Sequence, residues 1–441
     1  MRPRLLAVVV LATATLSPLV VGLAGANYVE NPGWPRKKRF STKTKPYTPK
    51  KYKDLGLVDK LSAIGRSTKG IWLTPSWVWK VSAKKTAAIL KRAHMNTVVI
   101  DVKDDFGHVT YPSKLPLAKK VFRRIIRDPK KMLETYHKAG IYVIARITAF
   151  KDSKLPLVRP DLSMRIGRKA RRLFSAGAGW LDHYSDEVWD YLIDIGREVA
   201  ELGFDEVQFD YIRFPKGYAG TLGKWLHKKD DEKRTRAQLI ADFLQRADRA
   251  IGVPISVDVF GLTTLVDGDP RRLGQHLEKL APYVEAVSPM MYASGMTTYF
   301  RGNKIKAPRI YSLIHCGLWR ARKKLKNTVL RPYLQAYPND VSFYGGQFIA
   351  QQVRAAWRAG SDGFLFWAPP MKFGAPIRGM RQLGKKYLDS YDQDARSRYL
   401  AKKNHPVRWC KLKGAVFATP KHLPKKKTRA RRRGKKHANA K

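Results

Sequence analysis

Four carboxylates and three cations stand where strand-like runs give way to loops, and they are the residues that could do chemistry. "FDEVQFDYIRFP" (204–215) ends an apolar run in Asp210, Tyr211 and Arg213, and "PISVDVFG" (254–261) carries Asp258. "NTVVIDVKDD" (96–105) carries Asp101, Lys103 and Asp104, and "IYVIARIT" (141–148) carries Arg146. Two carboxyls that meet at one site can work as a pair, one as acid and one as base or nucleophile. Asp210 is the first choice for base or nucleophile, with Arg213 as the neighbour that keeps it ionised. Asp258 is the choice for the second carboxyl, and Asp101 and Asp104 stand in reserve. Tyr292, Trp367 and Trp72 offer flat apolar faces to a ligand, Gln208 and Gln335 offer amides for hydrogen bonds, and Tyr211 flanks Asp210. For each aromatic, core packing is the competing reading. A neutralised buried network is the competing reading for Asp101, Lys103, Arg146 and Asp210.

These residues need a scaffold that brings strand ends together. A helix-like stretch ending in glycine and followed at once by an apolar strand recurs at Gly140, Gly203, Gly252 and Gly360. Glycine after the last helical turn takes the left-handed conformation that ends a helix. Val188, Leu192, Ile195, Val199 and Leu202 make one apolar stripe, and Ile240, Phe243, Ala247 and Ile251 another. Strands are expected at 70–75, 96–103, 141–148, 204–211, 254–261, 284–292, 331–337 and 363–369. The seventh competes with 309–318, which is also strand-like. Strands alternating with helices mean a parallel sheet. Eight such units over 54–400 predict a (β/α)8 TIM barrel, with its site at the C-terminal strand ends. An open doubly wound sheet is the alternative. Strand alternation turns Val98, Ile100 and Val102 outward, and Asp101, Lys103, Arg146, Gln208, Asp210 and Asp258 inward.

Lys plus Arg total 87 against 35 acids, a formal net charge of +52, so the chain should attract polyanions. The basic residues concentrate in a Pro-containing linker, 27–53, and in a tail, 401–441, expected to be disordered. Residues 1–26 read as a signal peptide: Arg2 and Arg4, the apolar Leu5–Val21, then Ala24-Gly25-Ala26. An uncleaved anchor is the alternative. The mature chain is then exported, to periplasm, envelope or medium, and has no membrane span. Anionic envelope polymers are the expected partners of the tails, and polysaccharide the expected substrate. No motif for specific nucleic-acid reading or for nucleotide binding occurs, and none calls for a cofactor. Asp101, Asp104 and Asp105 could offer oxygens to a cation, but no His/Asp/Glu cluster has metal-ligand spacing. His108 reads as an exposed loop histidine. The two cysteines, Cys316 and Cys410, could pair or remain two buried thiols.

The motifs resemble the bacterial family described as a putative glycosyl hydrolase domain. "GIWLTPS", "NTVVIDVKDDFGHVTYPSKLPLA", "ARITAFKD", "WLDHYSDEVWDYLIDIGREVAELGFDEVQFDYIRFP", "VDVFG", "GQHLEKLAPYVEAVSPMMY", "RPYLQAY" and "GSDGFLFWAP" carry the resemblance, in order, over nearly all of 69–370. It implies a TIM barrel acting on glycosidic bonds. The chain departs from the family pattern at Ala293-Ser294-Gly295, where Pro-Ser-His is expected. It departs again at Ala368, in place of Asn, and at His183, in place of Pro. A more distant similarity is to chitinase-like glycoside hydrolase barrels, whose catalytic Glu aligns with Ile212 here, and Asp210 with the acid before it. The substrate-assisted chitinase mechanism therefore has no support. The function expected is a glycoside hydrolase for an envelope or extracellular polysaccharide, acidic or containing amino sugars. The rival is an inactive barrel that binds anionic wall polysaccharide.

Overall fold

A computed structural model describes residues 60–400, apart from 167–170, 173, 176–177, 217–222, 270–271, 296–306, 326, 370 and 393–394. The stretches read as a signal peptide, a basic linker and a tail, with Cys410, lie outside the described residues. Eight parallel strands close into a barrel: β1 (Lys69–Leu73), β2 (Thr97–Lys103), β3 (Tyr142–Thr148), β4 (Glu206–Asp210), β5 (Ile255–Phe260), β6 (Ala286–Met291), β7 (Tyr333–Gln335) and β8 (Phe364–Trp367). Each strand pairs with the next, and β8 pairs with β1 (Lys69 opposite Phe364), which closes the ring. The barrel expectation holds. The seventh unit is split, since a short strand Val329–Leu330 also pairs with β6 ahead of β7. The competing stretch 309–318 lies within a helix, Ala307–Lys324.

Helices follow the strands because their apolar stripes need a sheet to cover. In α1 (Asp186–Leu202) Val188, Leu192, Ile195 and Val199 are buried, and Ser185 caps its first turn. In α2 (Arg236–Ala250) Ile240, Phe243 and Ala247 are buried, and Thr235 and Gln238 form a reciprocal capping box. Gly140, Gly203 and Gly360 have the expected positive φ. Gly252 does not, because α2 ends at Ile251 in extended backbone. Cys316 is buried and disulfide-bonded. No helix among the described residues is long and apolar enough to cross a membrane.

The outward strand residues Val98, Ile100, Val102, Val143, Val207 and Phe209 join the main core with the helices. A second apolar cluster fills the barrel: Trp72, Val99, Tyr142, Ile144, Tyr333 and Leu365. Below it lies a buried ion pair. Arg331 donates to both oxygens of Glu206, its Nη1 at 3.1 Å, and also reaches the Gly65 carbonyl at 3.2 Å. Tyr142 (3.1 Å) and Ser256 donate to the same carboxylate.

Breaking such a pair from one side leaves a bare buried charge. Arg331→Met should therefore lower unfolding free energy by about 3–5 kcal/mol. The double substitution Glu206→Gln with Arg331→Met should recover much of that loss. Denaturant unfolding of the three proteins checks this, and equal losses in single and double variants would refute it.

Candidate functional site

Arg146, on β3, is the centre of the C-terminal mouth. Only 1% of it is exposed. Its Nη1 donates to Asp101 Oδ1 at 2.8 Å, and its Nη2 to Asp105 Oδ1 at 2.8 Å. Nε and Nη2 both donate to Asp210 Oδ2, at 3.1 and 2.5 Å. The other oxygen of Asp210 accepts the Tyr211 backbone N–H at 2.5 Å. Tyr211 itself is in left-handed backbone, φ 50°, so the chain turns sharply as it leaves β4.

One guanidinium cannot fully compensate three acids. Burial pushes Asp101 up to about 6, a rise that Arg146 only partly offsets. Burial also acts on Asp105, but Arg146 and Lys151 outweigh it and hold that carboxyl below its ordinary value. Asp258 occupies the register position beside Asp210, since Val257 pairs with Phe209. It is 1% exposed, and among the described residues its Oδ1 has no hydrogen-bond partner. Burial, then the charge of Asp210, push Asp258 well above the carboxylate range, and Arg146 and Arg331 counter only in part.

The aromatic wall stands opposite. Trp72 stacks on Trp367 with centroids 3.8 Å apart, and its Nε1 donates to Asp101 Oδ1 at 2.8 Å. Tyr292 lies 6.4 Å from Trp367, and the Arg146 guanidinium lies 5.4 Å from the same ring. The two indoles thus cover one face of each other.

Several expected contacts are placed elsewhere. Lys103 is fully buried against Asp152 (2.8 Å) and the Thr148 carbonyl (2.7 Å), because the β2–β3 register shifts between Asp101 and Lys103. Asp104 folds its own loop, accepting the backbone N–H groups of Phe106 and His108 at 2.9 Å and facing His108 Nδ1 at 3.2 Å. The carboxylates of Asp101, Asp104 and Asp105 are thus engaged with protein groups rather than gathered around a cation. Gln208 lies deeper, bonded by the Tyr333 hydroxyl (2.8 Å) and to Ser288 (3.4 Å). Gln335 gives its amide to Tyr337 and Asn339 carbonyls and accepts the Ser294 N–H at 3.0 Å. Arg213 lies over Trp180, Tyr211 and Phe260. Arg146 takes the role expected of it beside Asp210.

Asp105 and Lys151 are the residues that sequence reading did not place in the site. The doubled acid at 104–105 was the available signal, but loop geometry decides which of the two turns in. Of the departures from the family pattern, Ala293, Ala368 and His183 land in packing, while Ser294 bonds Gln335 and Tyr337. Ala293 and Ala368 are buried in the outer core. His183 stacks between Phe150 (4.2 Å) and Phe214 (3.9 Å). Its Nδ1 accepts the Trp225 indole N–H, so its Nε2–H donates to the Arg213 carbonyl. Burial pushes it down to about 3, which keeps it neutral.

A family model described as "Putative glycosyl hydrolase domain" matches residues 70–373, and the chain belongs to that family. A hypothetical protein from Ruminiclostridium thermocellum is 32% identical, covering 43% of this chain and 97% of its own, with a TM-score of 0.38. The PgaB (BpsB) glycoside hydrolase domain from Bordetella bronchiseptica matches at TM-score 0.51 and 12% identity, over 74% of this chain and 98% of its own. Alpha-L-fucosidase isoenzyme 2 from Paenibacillus thiaminolyticus matches at TM-score 0.51 and 14% identity, over 74% of this chain and 49% of its own. The latter two similarities concern the fold. None of the curated proteins matches the chain.

Asp101 offers a direct check on the electrostatics. Tryptophan emission should titrate with a midpoint near pH 6, through the Trp72–Asp101 bond, and Asp101→Asn should abolish that transition. Because the folded value lies above the ordinary 3.9 or so, ionising Asp101 costs stability as pH rises from about 4 to 6. The variant should flatten that part of the stability curve. An unchanged emission titration in Asp101→Asn would remove the assignment.

Proposed function

We propose that this glycosyl hydrolase family member cleaves polysaccharide with Asp258 as the acid and Asp210 as the ionised partner. The observation that carries the reading is the contrast between two neighbouring carboxyls. Asp210 has a guanidinium and a backbone N–H on its two oxygens. Among the described residues Asp258, one strand away, has a buried oxygen with no partner, and burial and the charge of Asp210 raise its proton affinity. A carboxyl whose proton affinity is raised, beside one whose oxygens are both taken by donors, fits an acid and base pair. Asp258 would give its proton to the glycosidic oxygen as the leaving group departs with the bonding electrons. Asp258 and Asp210 sit at paired register positions on adjacent strands, and closely spaced carboxyls belong to the retaining class. That supports Asp210 as a nucleophile attacking the anomeric carbon. The stacked Trp72 and Trp367, with Tyr292, offer an apolar wall for the sugar ring.

The substrate proposed is an envelope or extracellular polysaccharide met after export. The apolar stretch 5–21 followed by Ala24-Gly25-Ala26 supports export, and the +52 charge supports retention near anionic polymers.

The roles separate by leaving group. Asp258→Asn should lose roughly 10²–10⁴-fold in turnover on an unactivated linkage. It should lose far less on an aryl glycoside, whose phenolate leaves without a proton. Asp210→Asn should lose activity on both. In the parent protein the alkaline limb of the pH profile belongs to Asp258 and should lie above the ordinary carboxylate range. Reducing-end release and chromophore release measure these. Equal losses by Asp258→Asn on both substrates would overturn the acid assignment. No release from any polymer by the parent protein, with binding retained, would favour an inactive binding barrel.

A further inference from the structure

Beneath the carboxyl pair, a hydrogen-bonded chain of neutral side chains crosses the barrel. Tyr333 on β7 donates its hydroxyl to Gln208 Oε1 at 2.8 Å. That bond fixes the amide, and its Nε2 turns to Ser288 Oγ on β6 at 3.4 Å. Tyr333, Gln208 and Ser288 are all buried. Ser288 is the direct register partner of Asp258 on β5. Neighbours in parallel register project to the same side of the sheet, here the barrel interior. A serine hydroxyl has one proton to give and two lone pairs. Among the described residues Ser288 accepts from Gln208 and gives its proton to no acceptor. Asp258 Oδ1 likewise has no partner among the described residues. A spare donor and an open acceptor thus stand on paired residues.

The pairing bears on the moment when Asp258 gives up its proton. The carboxylate left behind is buried, and both burial and the charge of Asp210 oppose it. The groups that face it are Asp210 and Glu206 from β4, Arg146 from β3, Arg331 just ahead of β7, Tyr333 from β7 and Tyr292 from the loop after β6. Arg146 is committed to Asp101, Asp105 and Asp210. Arg331 is committed to Glu206, and the Tyr333 hydroxyl to Gln208. The Tyr292 ring belongs to the wall with Trp367. A hydrogen bond donated to the charged form of an acid favours that form. Ser288 is the donor that the register places beside Asp258.

We propose that Ser288 is a positioning residue for the acid step, oriented by Tyr333 and Gln208 so that its hydroxyl donates to Asp258 as that carboxyl ionises. The proposal deepens the hydrolase reading and rests on it for the role of Asp258. Ser288 touches no substrate and transfers no proton. The proton of Asp258 goes to the glycosidic oxygen, and the proton of Ser288 stays on its own oxygen as a hydrogen bond.

The test follows the Asp258 carboxyl itself, by carbon-13 resonance of aspartate-labelled full-length protein, with Asp258→Asn to identify the signal. In Ser288→Ala the charged form loses its donor, so the titration midpoint of Asp258 should rise by roughly one pH unit or more. Ser288→Thr keeps the hydroxyl and should bring the midpoint back towards the parent value. Turnover of Ser288→Ala on an unactivated linkage should fall roughly three- to tenfold, with KM unchanged. The alkaline limb of its pH profile should move up with the midpoint. An aryl glycoside, whose release draws no proton, should be cleaved at the parent rate. Unchanged melting temperatures will show that the variants fold. A loss of structure alone would slow both substrates alike and leave the midpoint in place. A midpoint unmoved or lowered in Ser288→Ala, or moved by Tyr292→Phe instead, overturns the proposal. Its failure is separable from that of the hydrolase reading. A midpoint raised in Ser288→Ala, without cleavage of any polymer by the parent protein, would keep Ser288 as the donor to Asp258 and remove the hydrolase. Cleavage that Asp258→Asn abolishes, with a midpoint indifferent to Ser288, would do the reverse.

Discussion

The mouth of this barrel depends on one buried guanidinium. Arg146 bonds carboxylates that come from the end of β2, from the loop after it, and from the end of β4. Taking a charge out of water is costly unless the remaining donors are satisfied. Here Nε, Nη1 and Nη2 all meet carboxylate oxygen. The arrangement is over-acidic by design of its geometry: three carboxylates share one cation, and a fourth, Asp258, has no direct share in it. Burial first, and the crowding of acids after it, raise the proton affinity of Asp101 and Asp258. The crowding that surrounds Asp210 with donors thus leaves its neighbour Asp258 with a raised proton affinity.

A single strand shows how the barrel separates structure from chemistry. Glu206, Gln208 and Asp210 share the inward face of β4. Glu206 at the N-terminal end is fully committed to Arg331, Tyr142 and Ser256. Gln208, one layer up, links Tyr333 to Ser288. Asp210 alone reaches the mouth. A polar face on a buried strand is tolerated because each layer meets partners on other strands, and parallel closure aligns those partners at equal heights. The lower ion pair keeps the strand ends in register, and the upper carboxylate inherits its position from that register.

How much of this could be read from residues alone follows the range of the forces involved. The barrel was legible because glycine caps, helical stripes and strand runs are local signals. The inward positions of Asp101, Arg146, Asp210 and Asp258 followed from alternation, which holds while a strand is regular. Lys103 shows where alternation ends, since one register shift sends it to Asp152. Asp104 and Asp105 are adjacent, yet one organises its loop and the other meets Arg146, a choice made by loop geometry. Gln335 was polar at a strand end as expected, but its amide is spent on the carbonyls of Tyr337 and Asn339. Arg213 lies three residues from Asp210 in sequence but packs on aromatic rings, while the residue beside Asp210 comes from β3. Pairing between strands is the information a linear pattern lacks.

Charge in this protein is arranged against its average. The chain as a whole carries +52, yet the group around Arg146 holds more carboxyls than cations. Cations return at the edge, where Lys151 and Arg213 flank Tyr211. A field that changes sign over a few side chains cannot be explained by solubility or by general attraction of polyanions, which need only the average. Tyr211 marks the border: its backbone N–H holds Asp210, and its ring carries Lys151 on the outer side. The strained φ at that residue is then the local cost of placing an anion and a cation on the two sides of one turn.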